Sequence, residues 1–196
     1  MARAFKRKAG RFVAELEEGE REVVIGLLRQ THAFLAPTPR EPTGDPFDDL
    51  VARLGLPALN DPGAEDPQAP RDPALDRLLP AAHREDPAMA AEFRRLTEHG
   101  LREGKTAKLA AAIAAVMAAD GNKVRLDQAQ AQAMVVALTD VRLLLGERLG
   151  LRTDDDADDL QDRLEAASED DPQLYLAAYY DFMTWLQESL TQALMD

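Results

Sequence analysis

The chain has 196 residues, 45% of them hydrophobic, and its 36 acidic and 23 basic side chains give a formal net charge of -13. This length and apolar content suffice for one sizeable core, and the absence of cysteine excludes disulfides, thiolate metal sites, cysteine nucleophiles and thiol redox sensing. The excess of acid argues against direct nucleic-acid binding, because non-specific affinity for DNA comes from neutralising phosphates with Lys and Arg.

The sequence gives no sign of a membrane protein. No segment approaches the roughly 20 apolar residues that span a bilayer, and the basic N-terminus MARAFKRKAGRF is not followed by an apolar run. We therefore expect a cytoplasmic protein.

The N-terminal region begins with two short extended runs separated by a turn at Gly10, which predicts a small β-hairpin with Phe12 and Leu16 on one side. From about Glu20 the apolar spacing changes to that of a helix, and this first helix ends before Pro37.

Most of the prolines lie between residues 37 and 80, and residues 57–72 have the composition of a flexible, exposed loop. An Asp followed by Pro places an N-capping carboxylate ahead of a proline at the first helical position, so such pairs predict helix starts. The first two pairs predict short inserted helices and the last two predict long ones. The four pairs are Asp45 with Pro46, Asp72 with Pro73, Asp86 with Pro87, and Asp171 with Pro172.

The helix that begins at Pro87 is predicted to extend toward Ala119, and Gly104 is expected to kink or split it. An apolar stripe at helical spacing predicts the side of this helix that faces the core. The stripe consists of Met89, Phe93, Leu96, Gly100, Ala107, Ala111, Ala114 and Met117.

The last two long helices are the most apolar part of the chain. Asp127 and Gln130 have the spacing of a capping box, and the helix that follows is apolar on most faces, which predicts a central, buried position. The final helix carries the aromatic run YLAAYYDFMTW, and its helical spacing predicts that these aromatics lie in the core. Any of them that are exposed would indicate a dimer or partner interface. From the wide apolar faces of both helices we expect a homodimer.

The predicted fold is mainly α, a single helical domain over residues 1–196. It has four long helices plus short inserted helices and a small N-terminal β-hairpin. An acidic loop is predicted at about residues 153–171.

The segment EFRRLTEHGLREGKTAKL concentrates basic residues within this acidic chain. Glu98 lies four residues from both Arg94 and Arg102, and charges of both signs on one face are typical of a solvated helix. The functional alternative is a positive face that binds an acidic protein partner, since Arg forks bind carboxylates in a bidentate manner. The candidate partner-binding residues are Arg94, Arg95, His99, Arg102 and Lys105.

A second basic cluster lies in the predicted hairpin and has no acidic residue within it. Its members are Arg3, Lys6, Arg7, Lys8 and Arg11.

The stretch TDDDADDLQDRLE partly matches a calcium-binding loop. Its sixth position is Asp159 where the loop needs Gly, so the stretch is a weak candidate for a metal site. Ligand or metal binding by this acidic loop is the alternative function. The candidate ligands are Asp154, Asp156, Asp158, Asp162 and Glu165.

No pattern in the sequence indicates catalysis. None of His32, His83 and His99 has metal-ligand spacing with another ligand, and no phosphate-binding glycine motif occurs. We predict a protein without enzymatic activity and without a cofactor.

Four segments carry a resemblance to a known family: AFKRKAGRFVAEL, DPALDRLLPAAHREDPAMAAEFRRLTEHGLREGK, VRLDQAQAQAMVVALTDVRLLLGERLG and WLQESLTQAL. The chain resembles the actinobacterial domain-of-unknown-function family that includes AosR-like oxidative stress regulators. The resemblance implies a non-enzymatic cytoplasmic protein that acts on transcription through a protein partner, such as a sigma factor or another part of the transcription machinery. Redox sensing in that branch is linked to a CxxxC pair, which this sequence lacks.

Overall fold

A computed structural model describes residues 2–36, 71–80, 86–153, 155–168 and 170–196, apart from the side chains of Pro87 and Arg95. The described chain is mainly helical and contains one small antiparallel sheet, which confirms the predicted fold class. The strands are β1 (Arg3–Lys8), β2 (Arg11–Glu15) and β3 (Lys123–Leu126). The helices are α1 (Glu18–Leu35), α2 (Pro73–Leu78), α3 (Pro87–Met117), α4 (Gln128–Leu149), α5 (Asp155–Ala166) and α6 (Pro172–Met195).

The chain divides into two compact units. Unit 1 contains residues 1–34 and 107–196, and unit 2 contains residues 35–106, so the boundary falls inside α1 and α3. A single domain over the whole chain stays a prediction.

The sheet of unit 1 has the order β1-β2-β3, and all its pairs are antiparallel. The predicted hairpin is confirmed, but the sequence did not predict β3, which places Arg125 opposite Val13. The turn before β3 is tied to the start of α1, because the Arg21 guanidinium donates to the carbonyl oxygen of Gly121 at 2.8 Å. Lys123 to Leu126 do alternate between exposed polar and buried apolar residues, but four residues are the shortest run that can show this period, and the partner strand lies far away in sequence.

The core of unit 1 forms where α4 packs against α6 and α6 packs against β1. α4 buries nine residues, which agrees with the central position predicted for it. The largest fully buried side chains of this unit include Phe12, Leu28, Leu126, Met134, Leu138, Met183 and Leu186.

The predicted helix starts are confirmed at each described pair. The Asp127 carboxylate accepts from the Gln130 backbone N–H at 2.9 Å, and the Gln130 side chain accepts from the Asp127 N–H at 2.9 Å. Asp72, Asp86 and Asp171 each accept a backbone N–H two residues later. The helix predicted at Asp45 and nearly all of the proline-rich loop lie outside the described residues.

One prediction about α3 is wrong, and part of another is. The helix is not split at Gly104, while a kink there stays a prediction. The stripe predicted to face the core is exposed, with Met89 at 51% and Met117 at 59%. The buried side consists of Ala90, Leu109, Ala112, Ala115 and Val116. The periodicity identified an apolar face of α3 correctly but predicted that this face is buried. The buried side of the helix carries other residues, most of them alanines.

The acidic stretch is not simply a loop. Helix α5 occupies most of residues 153–171, and its Leu160 is buried with Leu149 and Ala177. Leu164 packs against the same cluster, so two apolar residues one turn apart hold one side of a helix whose acidic side chains are solvated.

Candidate functional site

Among the described residues of unit 2, a polar network is centred on Glu98 of α3. Arg71 donates to Glu98 Oε2 at 2.9 Å, and Arg102 donates from Nε to Glu98 Oε1 at 2.8 Å. Arg102 also donates to the backbone carbonyl oxygen of Leu35 at 3.3 Å. Arg71 forms a second ion pair with Asp76 at 3.2 Å. One carboxylate therefore joins the segment before α2, the end of α1 and the middle of α3.

These side chains are withdrawn from water, since only 13–16% of the side-chain surface of Arg71, Glu98 and Arg102 is exposed. Burial alone would raise the pKa of the Glu98 carboxyl. The hydrogen bonds and charges of Arg71 and Arg102 outweigh burial and hold that pKa below its ordinary value of 4.5. Glu98 is therefore an ionised structural carboxylate.

The predicted positive face of α3 is less cationic than the sequence suggests. Arg102 belongs to the Glu98 network, and His99 Nε2 lies 3.4 Å from Glu103 Oε1. Arg94 and Lys105 are half-buried, and each has an interaction of its own. The side chain of Arg95 is outside the described residues. Each of the four described side chains, Arg94, His99, Arg102 and Lys105, therefore has an interaction of its own, and these four do not form a patch of unpaired cations.

The β1–β2 hairpin of unit 1 offers a different arrangement. Its two-residue loop consists of Ala9 and Gly10, which have φ values of 48° and 75°. Positive φ at both central residues is what a type I′ turn requires, and such turns match the twist of the flanking strands. The turn therefore holds the strand ends beside it in register, with Lys8 opposite Arg11.

The tip of this hairpin displays cations to solvent. Lys6, Arg7, Lys8 and Arg11 are all exposed, and we call them the basic hairpin tip. Within the described part of the chain, no carboxylate pairs with Lys6, Arg7 or Lys8. Arg11 has only a long contact of 4.0 Å with Asp127. The tip is thus a cationic surface on a strongly acidic chain.

The base of the hairpin is firmly held. Phe5 and Phe12 are buried, Arg3 pairs with Glu15 at 3.1 Å, and the backbone N–H of Phe5 donates to the Ser189 hydroxyl of α6 at 3.2 Å. A fixed base means that a partner would not have to order the backbone of the tip on binding.

The candidate calcium ligands do not form a loop. Asp156, Asp158, Asp162 and Glu165 lie on α5, while Asp154 lies outside the described residues. Asp156 Oδ2 accepts the backbone N–H groups of Arg152 and Thr153 at 2.8 and 2.6 Å, and these bonds lower the pKa of its carboxyl. In the described portion, no three His or carboxylate side chains come together as a metal site.

The aromatic run of α6 lies only partly in the core. Tyr175 is 57% exposed and Trp185 is 36% exposed, and the rings of Phe182 and Trp185 stack with centroids 5.9 Å apart. The Arg142 guanidinium of α4 lies 5.5 Å from the centre of the Tyr180 ring. The buried side of α6 includes Met183 and Leu186 and lies next to the side that carries Tyr175 and Trp185. The helical spacing therefore predicted the buried side of this helix only approximately.

Comparison with known proteins places the chain in a family. Residues 2–194 match the family described as Domain of unknown function (DUF2017). The chain belongs to this family. No curated protein and no solved structure matches the DUF2017 chain. No described helix combines the length and the apolar character that a membrane span needs.

Sequence reasoning missed two arginines of this DUF2017 chain. Arg71 pairs with a carboxylate 27 residues away, and Arg142 donates to Thr184 and to Gln187 at 2.8 Å, more than 40 residues away. The segment RDPALD could have indicated that Arg71 lies close to the helix that starts after Asp72, because it directly precedes the Asp and Pro of that helix start. Nothing in the sequence indicated the distant partners of Arg71 and Arg142.

Proposed function

We propose that this DUF2017 chain is a non-enzymatic interaction protein that binds an acidic segment of another protein with the basic hairpin tip. Its resemblance to the AosR-like oxidative stress regulators supports a partner in the transcription machinery, such as a sigma factor, and a cytoplasmic location.

The observation that carries this proposal is the set of three cations, Lys6, Arg7 and Lys8, without a carboxylate partner among the described residues. A cation that is already paired with a carboxylate must break that ion pair before it binds another carboxylate. Lys6, Arg7 and Lys8 have no such ion pair to break among the described residues. Electrostatic complementarity of this kind mainly raises association rates and selects partners.

An acidic protein is a better match than a nucleic acid. The tip offers four cations, but the whole chain carries a net charge of -13, which repels a polyphosphate at long range. An acidic peptide segment is shorter and less densely charged, so the net charge of the chain repels it less.

The test is capture of partners from the native organism's lysate by immobilised chain, followed by mass spectrometry. The proposal expects that a Lys6→Glu, Arg7→Glu, Lys8→Glu variant loses the partner that wild type captures, and that raised salt weakens capture. The matched comparison is Arg94→Glu with Arg95→Glu, which reverses two charges of α3.

Three outcomes separate the hypotheses. Loss of capture only with the hairpin variant supports the basic hairpin tip as the partner-binding site. Loss of capture only with the α3 variant would show that the partner binds the cations of α3. If the immobilised chain captures no partner, this result argues against an interaction protein. A calcium-dependent rise in melting temperature would then favour ligand binding by the acidic segment. Because the chain has no cysteine, capture is expected to be equal with and without peroxide.

A further inference from the structure

The small sheet of unit 1 has two faces of opposite character. Residues directly opposite each other on antiparallel strands point to the same face, and successive residues point to opposite faces. The inner face is apolar and consists of buried residues, Phe12, Ala14, Val124 and Leu126. We call the other side the outer sheet face, and all of its residues belong to unit 1. They are Arg3, Lys6, Lys8, Arg11, Val13, Glu15, Lys123 and Arg125.

The outer sheet face is dominated by cations. Each of its residues except Val13 and Glu15 is a Lys or an Arg, although the chain as a whole has a net charge of -13. Val13 lies at the centre, with Lys6 opposite it on β1 and Arg125 opposite it on β3. Neighbouring strands lie about 4.8 Å apart, so the backbones of Lys6 and Arg125 are about 10 Å apart. One short segment of a partner can therefore reach both cations.

Only part of this positive charge is compensated among the described residues. Arg3 pairs with Glu15 at 3.1 Å, and Arg125 pairs with Asp120 at 3.0 Å. The Asp120 side chain is 82% exposed, and exposed ion pairs are weak, so a carboxylate of a partner can replace it. No described carboxylate pairs with the lysines of this face, Lys6, Lys8 and Lys123.

The edges of the sheet are less suited to a partner than this face. On β1, the backbone N–H of Phe5 donates to the Ser189 hydroxyl at 3.2 Å. On β3, the backbone N–H and carbonyl groups of Lys123 bond to those of Asp120, both at 3.1 Å. An added strand needs a run of unpaired backbone groups along an edge, and these bonds interrupt both edges. A partner would therefore bind the sheet through side chains.

We propose that the acidic segment of the partner docks on the outer sheet face, where Lys123 and Arg125 of β3 bind its carboxylates together with the lysines of β1. This inference rests on the proposed function, because it assumes the same acidic partner. It adds to the site a strand that lies more than 100 residues from the hairpin in sequence.

The same geometry removes one residue of the basic hairpin tip from the site. Arg7 is exposed, but it lies opposite the buried Phe12. Its side chain therefore projects on the inner side of the sheet, whereas its neighbours Lys6 and Lys8 project on the outer side. A segment on the outer sheet face contacts these two lysines and does not contact Arg7.

The side chains of the outer sheet face also favour a protein over a nucleic acid. Sheets that bind single-stranded nucleic acids stack the bases on aromatic side chains. None of the residues of this face is aromatic. Carboxylates need only the Lys and Arg side chains that the face provides.

Binding of a defined acidic probe tests the surface. The probe is fluorescein-labelled oligoglutamate, and its dissociation constant from the full chain is measured by fluorescence anisotropy at low salt. Arg125→Glu and Arg7→Glu are matched variants, because each reverses one exposed arginine. We expect Arg125→Glu to raise the dissociation constant about fivefold and Arg7→Glu to raise it less than about twofold, through net charge alone. Lys123→Glu repeats the test at a β3 residue that has no ion pair to lose.

The wild-type chain gives an independent readout that no variant can disturb. In spectra of isotope-labelled chain, oligoglutamate is expected to shift the backbone amide signals of Val13, Lys123 and Arg125 and to leave those of α5 unchanged. Unchanged signals at all three residues, with bound probe, would place the segment elsewhere and overturn the inference.

The variants separate failure of this inference from failure of the proposed function. If Arg7→Glu weakens binding as much as Arg125→Glu or more, the segment binds the tip alone, so the inference fails and the proposed function stands. If wild type does not bind oligoglutamate, or if neither Arg125→Glu nor Lys6→Glu with Lys8→Glu weakens binding, both fail. Tighter binding of labelled single-stranded RNA than of oligoglutamate would overturn the choice of an acidic protein as the partner.

Discussion

The cations of α3 and those of the β1–β2 hairpin are the same residue types, yet they occupy opposite environments. Arg102 is 13% exposed and shares Glu98 with Arg71, whereas Lys6, Arg7 and Lys8 are exposed on the end of strand β1 beside the turn. The first group stabilises unit 2, and the second is available to a partner. A count of basic residues therefore says less about binding than the number of carboxylates within reach of them.

The largest expected effect lies in the Glu98 network. Glu98→Gln removes the charge that compensates two withdrawn guanidinium groups, so we expect a loss of about 2 kcal/mol in the free energy of unfolding, measured by urea denaturation. The control is Glu103→Gln, whose side chain is 65% exposed, with an expected change within about 0.5 kcal/mol. Equal effects of the two variants would mean that the network is not structural.

Acid should remove the same contribution. The pKa of Glu98 is lowered in the folded state from its ordinary value of 4.5, so its stabilisation is complete well above that value and is lost as the pH falls through the lower folded value. The difference in melting temperature between wild type and Glu98→Gln should therefore be constant near neutral pH and shrink once the pH falls below the ordinary value of 4.5. A difference that grows with acid would contradict this sign.

The hairpin turn should show a smaller effect. Gly10 has a φ of 75°, so Gly10→Ala is expected to cost about 1 kcal/mol in the free energy of unfolding. Gly19→Ala is the matched change in the first turn of α1, where alanine is the better helix former, and it should not destabilise the chain. A neutral Gly10→Ala would mean that the tip is not held by its turn.

The smallest expected effect is at the basic hairpin tip itself. Lys6→Glu with Lys8→Glu should change the free energy of unfolding by no more than about 0.5 kcal/mol, because no described carboxylate pairs with either residue. Thermal and urea unfolding measure this. A marked loss of stability would show that the tip has a structural role like that of Arg102.

Local features of the fold could be predicted from the sequence, because their partners are close along the chain. The capping box of Asp127 with Gln130 joins residues three apart, and the hairpin turn at Gly10 joins adjacent strands. The register of β3 and the pairing of Arg71 with Glu98 join distant residues, so no local pattern shows them.

The face of α3 illustrates a second limit of sequence patterns. Heptad or helical spacing at Met89 and Phe93 shows that a surface is apolar, but it does not say whether the same chain or another one covers it. In the candidate site, the sequence identified the cations of both clusters and the four-residue spacing that pairs Arg102 with Glu98, but it did not show that Arg71 shares the same carboxylate.

The contact between the first strand and the last helix has a consequence for how the chain folds. Phe5 is bonded to Ser189, 184 residues later, and β2 gains its second neighbour only when Val124 to Leu126 are present. During synthesis the hairpin is made before α6, so it cannot complete its packing until α6 has left the ribosome. Contacts of such long range slow folding, and they make an intact α6 a condition for ordering the β1–β2 hairpin.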